Sequence, residues 1–509
     1  MLSQVKSVTL AGLDGIMVTV EADFANGLPS FDIVGLPDAT VREARERVRA
    51  AVVNSGFTFP PKRAVVNLAP GDLRKEGTQF DLPIAMSVLA GSGQLTGEMA
   101  QCALLGELAL SGELRPINGV LSAALCAKRN GCDVLIVPEQ NASEAALVKG
   151  LKVYKAGCLA DVYLHFSGEK LLETLTPPEG SAIGETGVYN VDFSEVKGQK
   201  VLRRGVEIAA AGGHNLIMLG SPGSGKSMIA KRIPTILPSM TLEEAMDVTK
   251  IHSLAGEIDP AAPLVTCRPF RAPHHGASAA SVVGGGSKYM RPGEISMAHN
   301  GVLFMDEFPE FRKDVLEALR QPLEDAKITV SRMNATFTYP SKFMLVAAMN
   351  PCRCGFYGDG TNRCRCSESE VLRYRKKISG PLLDRIDIHL EAPSLKYDEL
   401  QGASGESSSA IRERVEAARA VAAKRYANDD IRSNSELTGA LIEKYCPIGE
   451  AEDKLLRNAF DTMHMSARAY TRVLKLARTI ADLELRDTID AIDIAEALTY
   501  RDLDRKYWG

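Results

Sequence analysis

The chain has 509 residues, 45% of them hydrophobic and 24% charged, with a formal net charge of −4. That length supports roughly two to four separately cored domains, and the composition is that of a globular protein, not a disordered chain. No apolar run is long enough to cross a bilayer, and no overall positive charge marks a nucleic-acid binder, so any hold on nucleic acid must come from a local basic surface.

The opening segment, MLSQVKSVTLAGLDGIMVTVEADF, alternates apolar and polar residues and is broken by Gly and Asp. It reads as a strand pair, not a secretion signal, so a cytoplasmic location with reduced thiols is expected, and no membrane partner. Residues 1–168 mix strand-like runs such as Arg63–Leu68 with helical ones such as Asp38–Ser55. Residues 169–190, rich in Gly, Pro, Ser, Thr and Glu, are expected to be a linker. Residues 191–393 alternate buried strands with helices, the pattern of a parallel α/β sheet. A second polar joint covers 394–410, and 411–509 is helical almost throughout. The expected fold class is therefore α/β multidomain: an α+β first domain, a P-loop α/β core and a C-terminal helical lid.

Within the core, NLIMLGSPGSGKSMIA holds a strand, Leu216–Leu219, then Gly220, Ser221, Pro222, Gly223, Ser224, Gly225, Lys226 and Ser227, then a helix. The glycines let backbone N–H groups face phosphates, and the helix N-terminus adds partial positive charge. Lys226 is the candidate for the β- and γ-phosphates of ATP, and Ser227 for Mg²⁺. A second apolar strand, GVLFMDE, ends in Asp306 and Glu307, placed to hold Mg²⁺ and to polarise the attacking water. A third, FMLVAAMNP, ends in Asn350, a candidate contact for the γ-phosphate or the water, or else only a turn residue before Pro351.

These strands, in this order, resemble the AAA+ ATPases, and VKGQKVLRRGVEIAAAGGHNLIMLGSPGSGKS is similar to the magnesium-chelatase-like group. The resemblance implies that Gln199 lies near adenine. It implies that Arg385 in SGPLLDRIDIHLE is an arginine finger acting on a neighbouring subunit's ATP, an effect of about 10³–10⁵ in rate; an intrachain salt bridge with Asp384 or Asp387 is the alternative. It also makes SARAYTRVLKLAR the sensor-2 helix, with Arg468 the expected sensor and Arg472, on the same face, left open.

The first domain resembles the proteolytic domain of Lon, through VNLAPGDLRKEGTQFDLPIAMSVL and GELRPINGVLSAALCAKRNGCDVLIVPEQN. Aligned without gaps, the Ser of that family's Ser–Lys pair falls on Gln79 and the Lys on Leu121, and neither can serve as nucleophile or base. No peptidase activity is expected. An inactive Lon-like domain followed by this ATPase is similar to the YifB/ComM group across essentially the whole chain. That resemblance implies a hexameric, ATP-driven DNA helicase promoting branch migration in recombination and natural transformation. The partners it implies are single-stranded and branched DNA and recombination proteins. The competing reading is a chaperone-like AAA+ motor that remodels a protein.

Residues 267–295 carry Arg268, Arg271, Lys288 and Arg291 with a single acid, Glu294, and suit phosphate binding. The adjacent His274 and His275 read as structural. Arg332, on an expected hairpin turning near Met333–Asn334, is a further candidate for DNA. Finally, Cys352, Cys354, Cys364 and Cys366 form two Cys-x-Cys pairs directly after Asn350. Four thiolates can bind Zn²⁺ tetrahedrally; an iron–sulfur cluster or free redox thiols are the alternatives.

Overall fold

The computed structural model describes residues 2–175, 189–285, 291–332, 335–360, 363–393, 397, 399, 404–463, 465–501, 503 and 507. The chain divides into two compact units, one of residues 1–184 and 242–265 and the other of 185–241 and 266–509.

The first unit is built on an eight-stranded sheet. Its strands are β1 (Ser3–Ala11), β2 (Asp14–Ala25), β3 (Ser30–Val34), β4 (Arg63–Ala69), β5 (Cys102–Leu104), β6 (Val134–Pro138), β7 (Lys152–Ala156) and β8 (Thr174–Leu175), in the order β8-β7-β6-β5-β1-β2-β4-β3. The expected strand pair is the antiparallel β1–β2 hairpin, whose Val18, Val20 and Ala22 are buried on one face at the strand period of two. Helix α1 (Ala39–Asn54) starts where the Asp38 carboxylate accepts from the Val41 N–H at 2.8 Å. It buries Val41, Ala44, Val48 and Ala51, the i, i+3, i+7, i+10 stripe of an amphipathic helix. Helix α2 (Asp81–Gly91) is buried almost all round and lies against β1 and β2. Helix α3 (Val120–Arg129) lies against the same two strands on their other face, with Val8, Leu10 and Met17.

Two features of this unit differ from the sequence expectation. Thr174–Leu175 lie in the stretch expected to be a linker, yet they pair with Tyr154 and Val153 as the edge strand β8; the rest of that stretch, 176–188, falls outside the described residues. The helix Leu242–Ala255, just beyond the P-loop helix in sequence, belongs to this unit. Its Ser253 carbonyl accepts from the Gly119 N–H at 3.1 Å, and the Ser253 hydroxyl donates to Glu144. Glu144 also accepts from the Leu121 N–H at 2.7 Å, so an otherwise costly buried carboxylate is satisfied from two elements.

The second unit carries a five-stranded sheet, β9 (Leu216–Leu219), β10 (Phe270–Arg271), β11 (Val302–Met305), β12 (Met344–Met349) and β13 (Ile388–Glu391), in the order β10-β11-β12-β9-β13 with every pair parallel. Every residue of β9, β11 and β12 is buried, the continuous apolar run of a sheet covered on both faces. Helices α4 (Lys200–Gly212) and α5 (Lys226–Ile236) belong to this α/β layer. Of the helical C-terminal region, α6 (Ser408–Arg425) packs on α4 and α5, and α7 (Ala467–Leu483) packs on α4. Val415, Ala418, Leu476 and Ile480 join Leu216, Val206 and Ile233 in one apolar core, so the described helical region shares the core of the sheet.

Candidate nucleotide site and cysteine cluster

Two of the adjacent parallel strands, β9 and β12, stop level with one another, and β11 stops two residues earlier. Leu219 is in register with Met349, and Met305 with Ala347. The residues that follow, Gly220–Ser227, Asp306–Glu307 and Asn350, therefore emerge together at the carboxyl edge of the sheet, where open α/β sheets place their ligand sites. Gly220 passes so close to the neighbouring strand that a Cβ there would lie 2.3 Å from the Ala392 carbonyl. Gly225, at φ +84°, turns the chain into α5.

The functional side chains converge. The Lys226 ammonium donates to the carbonyls of Gly220 at 2.6 Å and Ser221 at 3.0 Å, and to Asn350 Oδ1 at 3.3 Å. Burial pulls the Lys226 pKa down, partly offset by the Asp306 charge. The Ser227 hydroxyl donates to Asp306 Oδ2 at 2.7 Å, while Asp306 Oδ1 accepts the Glu307 N–H at 2.9 Å. An ammonium folded onto its own loop beside a Ser–Asp pair is a donor set that fits a nucleotide triphosphate with Mg²⁺. Gln199 sits at the start of α4 with φ +49°. Its Nε2 donates to the Ser224 carbonyl at 2.8 Å and the Pro393 carbonyl at 3.0 Å, and its buried Oε1 has no partner among the described residues.

Sequence reading passed over one member of the site. Glu307 takes a left-handed backbone, φ +53°, rare for a residue with a side chain. Its carboxylate meets His275 Nδ1 at 3.0 Å, and His275 lies against His274 with ring centroids 4.1 Å apart. The signal was the pair of histidines four and three residues beyond Arg271, at the end of the strand that neighbours the Asp306 strand.

The arginines distribute unevenly. Arg385 is paired within its own chain, with Glu324 and the Pro381 carbonyl, and not with Asp384 or Asp387. Those acids instead face α7. Arg472 meets Asp387 Oδ1 at 3.2 Å and Asp384 at 4.0 Å, while Arg468, 58% exposed, stands 3.9 Å from Asp384. His214 completes the cluster, with Nδ1 3.2 Å from Asp387 and Nε2 2.8 Å from the Thr479 hydroxyl. Burial alone would raise Asp387, but His214 and the Arg472 and Lys475 charges hold it well below the usual carboxylate range.

Of the basic residues expected to face DNA, Arg268 and Arg271 have their guanidinium groups engaged inside the chain. Arg268 donates to the carbonyls of Pro238 at 2.5 Å, Asn300 at 2.7 Å and Ser239 at 3.3 Å, and Arg271 grips Glu294 with two bonds of 2.6 and 3.0 Å. A count of charges along 267–295 could not see those acceptors. Arg291 is exposed on a short strand opposite Gly284–Gly285. Lys288 lies outside the described residues, and Arg332 ends a hairpin strand whose turn, Met333–Asn334, also lies outside them.

Next to Asn350, the sulfurs of Cys352, Cys354, Cys364 and Cys366 all lie within 4.8 Å of one another. Cys352 is buried and the other three are half-buried. None is in a disulfide. The cluster is a candidate metal centre among the described residues. Arg353, Arg365 and Arg373 are exposed around it, whereas Arg363 is paired with Asp359 at 3.0 Å.

Three family descriptions match the chain in succession: "Subunit ChlI of Mg-chelatase" over residues 20–141, "Magnesium chelatase, subunit ChlI" over 192–400, and "Magnesium chelatase, subunit ChlI C-terminal" over 405–501. The competence protein ComM of Haemophilus influenzae is 44% identical over 495 residues, 96% of this chain and 95% of that one. The uncharacterized protein YifB of Escherichia coli is 43% identical over 508 residues, 99% of this chain and 98% of that one. A more distant likeness, 23% identity over 204 residues, 40% of this chain and 24% of the other, is to a probable DNA helicase, MCM9, of Arabidopsis thaliana.

Proposed function

The chain belongs to the ComM/YifB family of magnesium-chelatase-like AAA+ proteins, and on that premise we propose that it is a hexameric, ATP-driven DNA translocase promoting branch migration in recombination and natural transformation. Membership in that family implies ATP hydrolysis. The observation that carries the DNA reading is near-full-length identity to a competence protein, joined in this chain to a complete set of groups for ATP. The distant likeness to a probable DNA helicase supports it.

In this reading Lys226 leaves the carbonyls of Gly220 and Ser221 for the β- and γ-phosphates, and the N–H groups at the start of α5 take the remaining phosphate oxygens. Ser227 and Asp306 would hold Mg²⁺, which when bound neutralises charge developing on the transferred phosphoryl group. Glu307, released from His275, orients and polarises the attacking water. Asn350 would hold the γ-phosphate or that water from the next strand. Gln199 Oε1, the orphaned acceptor, suits the exocyclic amine of adenine. Arg385, let go by Glu324, would reach a neighbouring subunit's ATP, and Arg468 or Arg472 would report nucleotide to the helical region. DNA would be held by exposed arginines such as Arg291, Arg353, Arg365 and Arg373, with Lys288 and Arg332 as further candidates. We further read the four cysteines as a structural Zn²⁺ site and the N-terminal unit as a Lon-like domain without peptidase activity. Its Gln79 is held on the Glu76 carbonyl and its Leu121 is fully buried.

The test is ATP hydrolysis by the full chain with and without single-stranded and forked DNA. DNA should stimulate turnover, more at low salt than at high. Glu307→Gln should lower turnover by about 10²-fold or more. Turnover indifferent to DNA would overturn the translocase reading and favour a motor that remodels a protein.

A further inference from the structure

The cysteine loop does not hang free of the ATP site. Its first ligand, Cys352, follows Asn350 with only Pro351 between, and Asn350 Oδ1 already touches Lys226 at 3.3 Å. Its Gly355 bears directly on the phosphate loop: at φ +88°, a Cβ added there would lie 2.5 and 2.6 Å from the ring carbons of Pro222 and 3.8 Å from the Asn350 side chain. A side chain at 355 would run into the Pro222 ring, so the Gly355 backbone packs directly against that ring. From behind, Arg375 donates to the Pro351 carbonyl at 3.3 Å and stacks on Tyr507 with 4.3 Å to the ring centroid.

The four sulfurs are spaced for one ion. A tetrahedron with Zn–S bonds of about 2.3 Å has edges of about 3.8 Å. Cys352–Cys354, Cys354–Cys364 and Cys352–Cys364 stand 3.3, 3.6 and 3.8 Å apart. A disulfide would close to about 2.05 Å. Four thiolates leave an ion no open position, so such a site acts by holding its loop, not by activating water. The polar, Gly-rich stretch between the cysteine pairs has no apolar core of its own to do that work.

We propose that a zinc ion bound by Cys352, Cys354, Cys364 and Cys366 is a structural part of the nucleotide pocket, fixing the wall that Gly355 presents to Pro222 and the position of Asn350 beside Lys226. The proposal rests on reading Gly220–Ser227 as the phosphate loop of an ATP site; it does not depend on DNA. Loss of the ion lets the loop swing from Pro222, and the pocket loses affinity while the rest of the sheet stays folded.

The experiment measures metal content by mass spectrometry and binding of fluorescent mant-ADP by the full chain. Three proteins are compared: wild type, the Cys364→Ser/Cys366→Ser variant, and Gly355→Ala, which keeps every ligand but pushes on Pro222. Wild type should carry stoichiometric zinc, and its cobalt-substituted form should show thiolate-to-metal charge transfer. The double variant should lack metal and bind mant-ADP about tenfold more weakly or worse. Gly355→Ala should keep its zinc and still bind weakly. Zinc-free wild type as purified, full affinity in the stripped protein, or full affinity in Gly355→Ala would each overturn the proposal. If the double variant does not fold, wild type stripped by a thiol reagent and chelator, together with Gly355→Ala, decides. Failure to bind mant-ADP at all, with zinc present, would instead refute the ATP site itself.

Discussion

Gln199 shows what a single residue contributes to this site. Two backbone carbonyls fix its amide nitrogen, so its oxygen has one orientation, and that oxygen is buried with no donor to it among the described residues. A buried acceptor without a donor carries a penalty of about 1–3 kcal/mol. A base that donates an amine there relieves it, and one that presents a carbonyl does not. Gln199→Leu should therefore flatten the preference for ATP over GTP by about tenfold, measured as the ratio of their kcat/KM values; an unchanged ratio would remove Gln199 from base recognition. His275 makes the opposite kind of contact, holding Glu307 in place at 3.0 Å. His275→Ala should raise DNA-free ATP turnover about fivefold, the worth of roughly 1 kcal/mol of restraint, and shrink the ratio of DNA-stimulated to basal rate. The Gly220–Ser227 loop stood out in the sequence because its residues are contiguous. The His275–Glu307 contact did not, because it depends on which strand neighbours the Asp306 strand, and periodicity does not reveal strand order.

At the scale of elements, helix α7 is where the helical region meets the sheet. Its apolar spacing was readable as a helix, but Arg472, Arg478, Thr479 and Asp482 are all buried on it. Period-based reading assigns such residues to the solvent side. Here they are satisfied in pairs: Arg478 and Arg425 on Asp482, Asn434 on both Asp482 and Thr479, and Arg472 on Asp387. Removing one partner of a buried pair strands the other. Arg472→Ala should destabilise the second unit by about 3–5 kcal/mol, whereas Arg468→Ala, at an exposed pair, should change stability by less than about 1 kcal/mol. Urea unfolding separates the two. If instead Arg468→Ala unfolds the protein and Arg472→Ala does not, the network is not what joins α7 to the sheet. Any effect of Arg468→Ala on ATP turnover at unchanged stability would mark it as the nucleotide sensor.

For the whole molecule, the N-terminal unit takes in a second segment, residues 242–265, that the expected domain bounds place in the ATPase core. The helix Leu242–Ala255 follows the P-loop helix directly and has the same amphipathic texture, so nothing in the sequence separates it from the α/β repeat. Only its partners, Gly119 and Glu144, assign it to the N-terminal unit. That unit also carries a carboxyl with an acid-sensitive balance. Burial pushes Asp81 up to about 6, against the two hydrogen bonds from Arg47 that favour the charged form. Between about pH 4 and 6 the folded unit then keeps a proton that the unfolded chain has released, so its contribution to stability falls as pH rises through that window. The unit's urea midpoint should be higher near pH 5 than near pH 7, and Asp81→Asn should flatten the difference. The returning helix also has a consequence for synthesis. When residue 184 leaves the ribosome, the N-terminal unit still lacks a piece that ends at residue 265. At about 5–20 residues per second the wait is roughly 4–16 s. For that interval the Glu144 carboxylate and the face of α3 that Leu242–Ala255 will cover stand open on a nascent chain, a transient surface for chaperones that the finished protein no longer displays.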